Sequence, residues 1–509
     1  MSRIARYGWL AIVIIILVLF VFLALRFVPG FISGKSANPS VPGTSTQVSR
    51  SPSPNGTSPS PGSTPPANST PTQSTTPSGA GIQLLRLSND PYTNGDSQHQ
   101  TEVEPDTYSY GSTIVSAFQA GRFTSVGSSN IGWATSTDGG ITWQHGFLPG
   151  TTKLAGGPYD RITDPSVAYD AAHSTWMIAT TVFQYISTGI TAPAVLVSLS
   201  TDDGLSWSQP VTVADVGSRG HLDKDWIVCD DTSTSQYYGH CYIEWDDIAR
   251  NNLIQMSTST DGGRTWGVAK TTADHASGIS GYPLVQPGGT VIVPISNADQ
   301  TAIMVFTSND GGASWSRTVT ITSVTSFSQS ASFRDYILLT AGIDGSGRVY
   351  LVWVDCRFEA NCHGNDLVMT TSVNGVVWTP VRRIPIAPVG SGVDYYVSGL
   401  GVDGSTNGLT AHLALTFYYY SANCVNDCTL SVGFVSSVNG GYSWSAKARL
   451  AGPFPASWIA AGNNKVGDYI SVSFSNGRAF PVFAVATAPG GGHLNEAMYT
   501  IQGGLEVVG

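Results

Sequence analysis

A short phrase recurs along this 509-residue chain. It reads STDGGITW at Ser136–Trp143, STDDGLSW at Ser200–Trp207, STDGGRTW at Ser259–Trp266 and SNDGGASW at Ser308–Trp315. Asparagine replaces aspartate in SVNGGYSW at Ser437–Trp444, and SVNGVVW at Ser372–Trp378 is one residue shorter. Self-similarity at about sixty residues restricts the chain to a repeated architecture in which neighbouring units cover one another's apolar faces. Each phrase follows an alternating run, such as AVLVSL before Ser200 and AIMVFT before Ser308. Alternation that ends in Asp-Gly or Asn-Gly predicts a strand and then a tight turn, because glycine supplies the positive φ. The serine hydroxyl and the side chains of Asp138, Asp202, Asp261, Asp310, Asn374 and Asn439 can lock that turn by bonding backbone N–H groups. The closing tryptophans are apolar anchors within or between units. These boxes build the fold and carry no catalytic role.

The phrase resembles the Asp box of bacterial neuraminidase (BNR) repeats, found in sialidases and sialidase-like β-propellers. The resemblance spans residues 81–509 through its scattered copies. It implies an all-β propeller with the boxes on outer turns, away from the ligand face. Repeat starts can be counted independently of the boxes: Glu104, Asp164, Asp223, Gly281, Arg334, Val393 and Gly467 begin similar segments. Seven starts against six boxes predict seven blades, with six as the alternative. The last unit is one strand short, and IQLLRL at Ile82–Leu87 can supply it, which would remove exposed sheet edges. The family's catalytic members have six blades, so seven argues against simple identity with them.

Three segments are expected. Residues 1–30 contain an uncharged apolar run at 7–25 between Arg6 and Arg26, long enough for an uncleaved membrane-spanning signal anchor. Arg3 and Arg6 favour a cytoplasmic N-terminus. Residues 31–80, almost wholly Ser, Thr, Pro, Asn and Gly from position 36, read as a disordered stalk. Residues 81–509 form the propeller, placed outside the cytoplasm on a single-pass anchor. Six cysteines agree with an oxidising compartment and fall into local pairs: Cys229 with Cys241, Cys356 with Cys362, and Cys424 with Cys428. A metal site at Cys356, Cys362 and His363 is the alternative for one pair. A net charge of −10 without a basic run excludes a nucleic-acid partner.

In a propeller the innermost strands begin at the central channel. Here those beginnings are rich in carboxylates: Glu104, Asp106, Asp164, Asp223, Asp225, Asp335, Asp394 and Asp468. Acids converging on one axis can raise one another's pKa and act as general acids, or bind calcium through oxygen ligands. Alternatively, each bonds backbone N–H groups at its own strand. HLDKDWIVCDD at His221–Asp231 and YYGHCYIEWDD at Tyr237–Asp247 combine acids with aromatic rings, a composition suited to a carbohydrate cleft. No cofactor is expected.

The resemblance also implies a test. Sialidases hold a substrate carboxylate with three arginines, and use a Glu-activated tyrosine and an acid/base aspartate. The family's F/Y-R-I-P sequence has no counterpart before Ser136, where the nearest arginine is Arg122. RRIP at Arg382–Pro385 follows the fifth box and reads as an outer strand, while DRITDP at Asp160–Pro165 is a partial likeness. Arg161, Arg334 and Arg357 remain candidates for a cluster, with Asp164, Asp223, Asp225 and Glu104 as acids. Two classes stay open: a glycan-active enzyme, such as an exo-sialidase or related glycoside hydrolase, and a non-catalytic propeller that binds glycans or proteins.

Overall fold

The computed structural model describes residues 81–327, 333, 337–462 and 465–509. The expected anchor at 7–25, the stalk, Arg334, Asp335 and Tyr336 lie outside them. Among the described residues no helix is long and apolar enough to cross a membrane. The described chain is all-β, its helical elements being short turns such as Lys153–Ala155 and Ala456–Trp458.

The strands form antiparallel meanders, as the alternating runs predict. Glu102–Tyr110, Thr113–Arg122, Ser128–Ser136 and Gln144–Phe147 follow one another across one meander. A second, starting at Arg161–Asp170, is joined to it only at the Ser128–Ile162 bridge. Later meanders start at Leu222–Cys229, Gly278–Ile279 with Leu284–Val285, Thr340–Ile343, Val393–Val402 and Ser471–Ser475. These first strands touch in cyclic order, the last packing against Glu102–Tyr110. The whole is propeller-like. The edge left open by the last meander is covered by the first described strand: Leu84–Arg86 pairs with Tyr499–Ile501. Closure leaves no long unpaired strand at this seam.

Every box closes its turn through its serine hydroxyl and its Asp or Asn side chain, and four add a bond from the tryptophan ring. In the first, Ser136 Oγ donates to Asp138 Oδ1 at 2.8 Å and accepts from Gly140 N at 2.8 Å. Asp138 also accepts from Thr142 N at 2.9 Å, and Trp143 Nε1 donates to Gly140 O at 3.3 Å. Asn439 keeps the acceptor role toward Ser443 N and adds a donor bond to Ser443 Oγ, so asparagine serves in place of aspartate. Gly140 is required twice over. Its φ is 81°, and a Cβ there would lie 2.1 Å from the Phe480 ring of the last meander. The box therefore fixes its own turn and seats it against the preceding unit.

The core lies between neighbouring sheets. Trp176, Trp245 and Trp353 are fully buried, and one cluster joins Ile114 and Phe118 to Phe480 and Val482 across the seam. Each such side chain contributes about 1.5–3 kcal/mol on burial. Bridges join Cys229 to Cys241, Cys356 to Cys362 and Cys424 to Cys428, as the spacing predicts. The metal alternative at Cys356 and Cys362 is thereby overturned, because a disulfide leaves no thiolate to ligate.

Candidate functional site at the axial end

The first strand of several meanders carries a bulge at the same place. Pairing registers slip between Val103 and Asp106, Thr163 and Ser166, Asp223 and Trp226, and Tyr396 and Ser398. Within each slip one residue is forced into the left-handed region: Glu104 (φ 61°), Asp164 (φ 49°), Lys224 (φ 53°) and Val397 (φ 39°). That conformation costs a non-glycine residue about 1 kcal/mol, and strain of this kind concentrates at sites that use it. A bulge re-aims its side chain. Three charged residues sixty apart thus converge on one point.

Lys224 is the hub. Its Nζ lies 3.1 Å from Asp164 Oδ1 and 3.7 Å from Glu104 Oε1, and it also pairs with Asp468 Oδ2. Lys465 Nζ sits 3.2 Å from Glu104 Oε1 and 3.3 Å from Asp468 Oδ1. Asp468 N donates to Glu104 Oε1 at 2.8 Å, and Gln119 Nε2 donates to Glu104 Oε2 and, at 3.0 Å, to Thr163 Oγ1. All five charged side chains are buried. Burial alone would push Lys224 down, but Asp164, Asp468 and Glu104 together hold its pKa well above the usual lysine value.

A second group of acids lies beside this cluster and has no cation of its own. Burial, reinforced by neighbouring carboxylates, pushes Asp225, Glu244 and Asp246 well above the ordinary carboxyl range. Asp246 pairs across the strands with half-buried Asp223, where two ionised carboxylates would repel. Asp225 Oδ1 accepts from Thr181 Oγ1 at 2.7 Å, whereas its Oδ2 has no hydrogen-bond partner among the described residues. Asp225 also lines a small cavity of about 20 Å³ with Lys224, Trp226, Tyr282 and Tyr469.

Aromatic rings separate that cavity from the axial channel. Trp226 lies 4.5 Å from Tyr282 at 32° and 5.1 Å from Tyr469 at 78°, measured between ring centroids. Tyr469 donates to Pro165 O at 3.0 Å, and burial beside four carboxyls keeps its phenol firmly protonated. Trp226 and Tyr282 also border the channel, a cavity of about 370 Å³ lined by the first strands in turn. Hydroxyls of Ser471, Ser473 and Ser405 and the Asp106 carboxyl supply its polar groups. A wall of rings with scattered hydroxyls and a buried carboxyl can stack a sugar and bond its hydroxyls.

The structure brings together Glu104, Asp164, Asp468, Asp223 and Asp225 of the expected acids. They do not serve their own strands alone. Asp106 Oδ2 accepts from Val167 N of the next meander at 2.7 Å, and Asp394 Oδ1 accepts from Asn365 N at 2.7 Å. Arg161 instead holds a loop, donating to Ser125 Oγ at 2.8 Å and Val126 O at 2.9 Å under Tyr185. Arg357 is spent on Asp355, Thr322 and Ser323. Arg122 is buried against Phe123 O and Gly127 O. Arg122 and Arg161 hold one loop, residues 123–127, and Arg357 another; none of the three lines the channel. Trp245 is core, while Trp226 belongs to the site. Sequence reasoning missed Lys224 and Lys465. The signal was Lys224 standing one repeat beyond Asp164, at the spacing that links Asp164 to Glu104. Among the described residues no three His, Cys, Asp or Glu side chains are grouped to hold a metal ion.

Repeated boxes on propeller-like sheets define a class. Residues 134–145, which span the first box, match the BNR/Asp-box repeat family model. No curated protein matches the sequence. Among solved structures, a Hadza microbial sialidase is 15% identical over 70% of this chain and 74% of its own, with a TM-score of 0.44. An ulvan lyase of polysaccharide lyase family PL25 is 11% identical over 83% and 96%, with a TM-score of 0.49. A Trypanosoma rangeli sialidase is 13% identical over 72% and 60%, with a TM-score of 0.44. These likenesses are distant and assign no chemistry to the axial residues.

Proposed function

We propose that this chain is a seven-bladed, membrane-anchored propeller that binds glycans outside the cytoplasm through its axial channel. The observation that carries the binding reading is the ring wall of Trp226, Tyr282 and Tyr469, bordered by buried acids and without an arginine among its described lining residues. Support for seven blades comes from the cyclic contacts of the first strands. The anchor and location rest on the apolar run at 7–25 and on the cysteine pairs.

The lysines at the axis are engaged by carboxyls, which leaves them poorly placed to hold a sialic acid carboxylate. A neutral, hydroxyl-rich saccharide fits the wall better, because stacking needs no charge. Calorimetric titration of the full-length chain with neutral oligosaccharides tests this. Binding that Trp226→Ala abolishes, with the fold intact, is the expected result. Absence of binding across neutral di- to tetrasaccharides would refute it.

Glycoside hydrolysis is the second reading, and Asp225 favours it. A buried carboxyl held protonated, with one unpaired oxygen and a cavity in front of it, has the properties of a general acid. Turnover of a fluorogenic glycoside that Asp225→Asn abolishes would establish it. A sialoside belongs in that panel, since sialidase chemistry is the activity the resemblance implies.

A further inference from the structure

A second cavity, of about 330 Å³, opens at the opposite end of the sheets. Its lining includes Arg348, Arg382, Tyr350, Gly440 and Tyr442. Gly440 and Tyr442 belong to the Asn439 box, which closes the third strand of its meander. In an antiparallel meander the first and third strands run the same way, so a box lies at the far end from the first strand's beginning. This cavity and the axial site therefore face opposite ways.

Its two guanidiniums share one cavity. Arg383, the next residue, pairs with Asp366 at 2.6 Å, and Arg357 pairs with Asp355 at 2.6 Å. Arg348 and Arg382 have no carboxylate partner among the described residues. Arg382 Nη2 donates to Gly440 O at 3.1 Å, and Arg348 Nη1 makes a long bond of 3.4 Å to Thr371 Oγ1. The Asp344 carboxylate behind them accepts from Ser346, Arg348 N, Gly408 N and Tyr350 OH. It is thereby turned to its own loop. Both arginines line the same cavity as Tyr350. Arg382 is half-buried, and a half-buried cation without an anion leaves desolvation uncompensated.

The cavity mouth adds a ring. The Arg382 guanidinium carbon lies 4.9 Å from the centroid of Tyr442, which is 70% exposed. One face of the ring meets the cation and the rest meets solvent. Guanidinium forks bind planar or tetrahedral oxyanions bidentately, and an exposed tyrosine stacks on a pyranose ring. We propose that this cavity binds the acidic group of a carbohydrate, a carboxylate or a sulfate ester, with Arg348 and Arg382 on the oxyanion and Tyr442 on the sugar. The inference is independent of the axial reading, since it shares no residue with that site.

The experiment is calorimetric titration of the full-length chain with four probes: an oligoglucuronate, a sulfated oligosaccharide, a neutral glucose oligomer of equal length, and sodium sulfate. The native chain is expected to bind one or both acidic oligosaccharides and not the glucose oligomer at this cavity. Which of the two binds identifies the acid. Arg348→Gln with Arg382→Gln should weaken that binding at least tenfold, and Tyr442→Ala severalfold. Tyr442→Ala alters an exposed side chain, so it stays informative if the double variant fails to fold. Trp226→Ala at the axial site should leave this binding unchanged. Failure of both acidic oligosaccharides to bind would overturn the proposal. So would retention of native affinity in the arginine variants, or sodium sulfate binding as tightly as the sulfated sugar. Loss of acidic binding through Trp226→Ala alone would assign the anion to the axial site and overturn it equally.

Discussion

Replacing Lys224 with methionine isolates what the axial cluster contributes. The side chain is buried and faces Glu104, Asp164 and Asp468. Removing one partner of a buried ion pair typically costs about 3–5 kcal/mol, because the remaining charge keeps its desolvation cost without compensation. Against a total stability of about 5–15 kcal/mol, that is a large share. The pH dependence is the sharper signature. Lys224 has a raised folded pKa, so its contribution is complete below the ordinary lysine value near 10 and does not titrate between pH 5 and 9. In Lys224→Met, Asp164 keeps the burial that raises its pKa and loses the cation that lowers it. A carboxyl raised in the folded state contributes stability that is present at low pH and lost as pH rises through its folded pKa. The deficit should therefore grow from pH 5 to pH 8, by up to about 1.4 kcal/mol per pH unit for each proton involved. Urea unfolding followed by tryptophan fluorescence at pH 5, 6.5 and 8 measures it. A deficit below about 1 kcal/mol, or one equal at all three pH values, would refute the coupling of these charges.

Asp106 and Asp231 are pushed up to about 7, mainly by burial. The stability each contributes at low pH is lost as pH rises from about 4 through about 7, so Asp106→Asn and Asp231→Asn should each flatten the fall of the urea midpoint over that range. Deleting Leu84–Leu87 uncovers the edge of Glu496–Ile501, so the melting temperature should fall and size-exclusion profiles should show association. Trp143 is 3% exposed, and Trp143→Ala should cost about 3–5 kcal/mol by urea unfolding, against about 1 kcal/mol for Asp138→Ala in the same box. Reducing the Cys229–Cys241 bridge, which spans 12 residues, should cost about 3 kcal/mol in the same assay.

What the sequence discloses and what it hides differ by range. The boxes are legible because their bonds are local: Ser136, Asp138 and Thr142 satisfy one another within one turn. The cysteine pairs and the closing strand are legible for similar reasons, a short span in the first case and a missing strand in the second. The acids at the axis are legible as a period, since Glu104 and Asp164 occupy equal places in successive repeats. Lys224 breaks the sign of that period, and its meaning depends on Asp468, 244 residues away. Nothing near Lys224 in the sequence announces that partner. Arg161 misleads in the opposite way: it stands beside a repeat start, yet its bonds go to Ser125, Val126 and Tyr185 in loops. Arg382 reads correctly as an outer strand, pairing with Met369, but strand pairing says nothing about the cavity its side chain enters.

The bulge explains how one fold can carry such different chemistry at its two ends. Four of the first strands offer the axis a single left-handed position, and Glu104, Asp164, Lys224 and Val397 fill it with an acid, an acid, a base and an apolar group. Changing that residue alters the site without touching the box that seats the repeat, because box and bulge lie at opposite ends of the meander. At the axis the two lysines are engaged by three carboxyls, so the site offers no uncompensated cation to an anionic ligand. At the box end the guanidiniums of Arg348 and Arg382 have no carboxylate partner among the described residues, Asp344 being turned to its own loop. The same repeats thus present an aromatic channel without a free cation among its described lining residues on one face, and an anion-seeking cavity on the other. Raising the salt concentration should distinguish them, because screening weakens the guanidinium contacts and leaves ring stacking nearly unchanged. Binding at both faces with equal salt dependence would contradict this division.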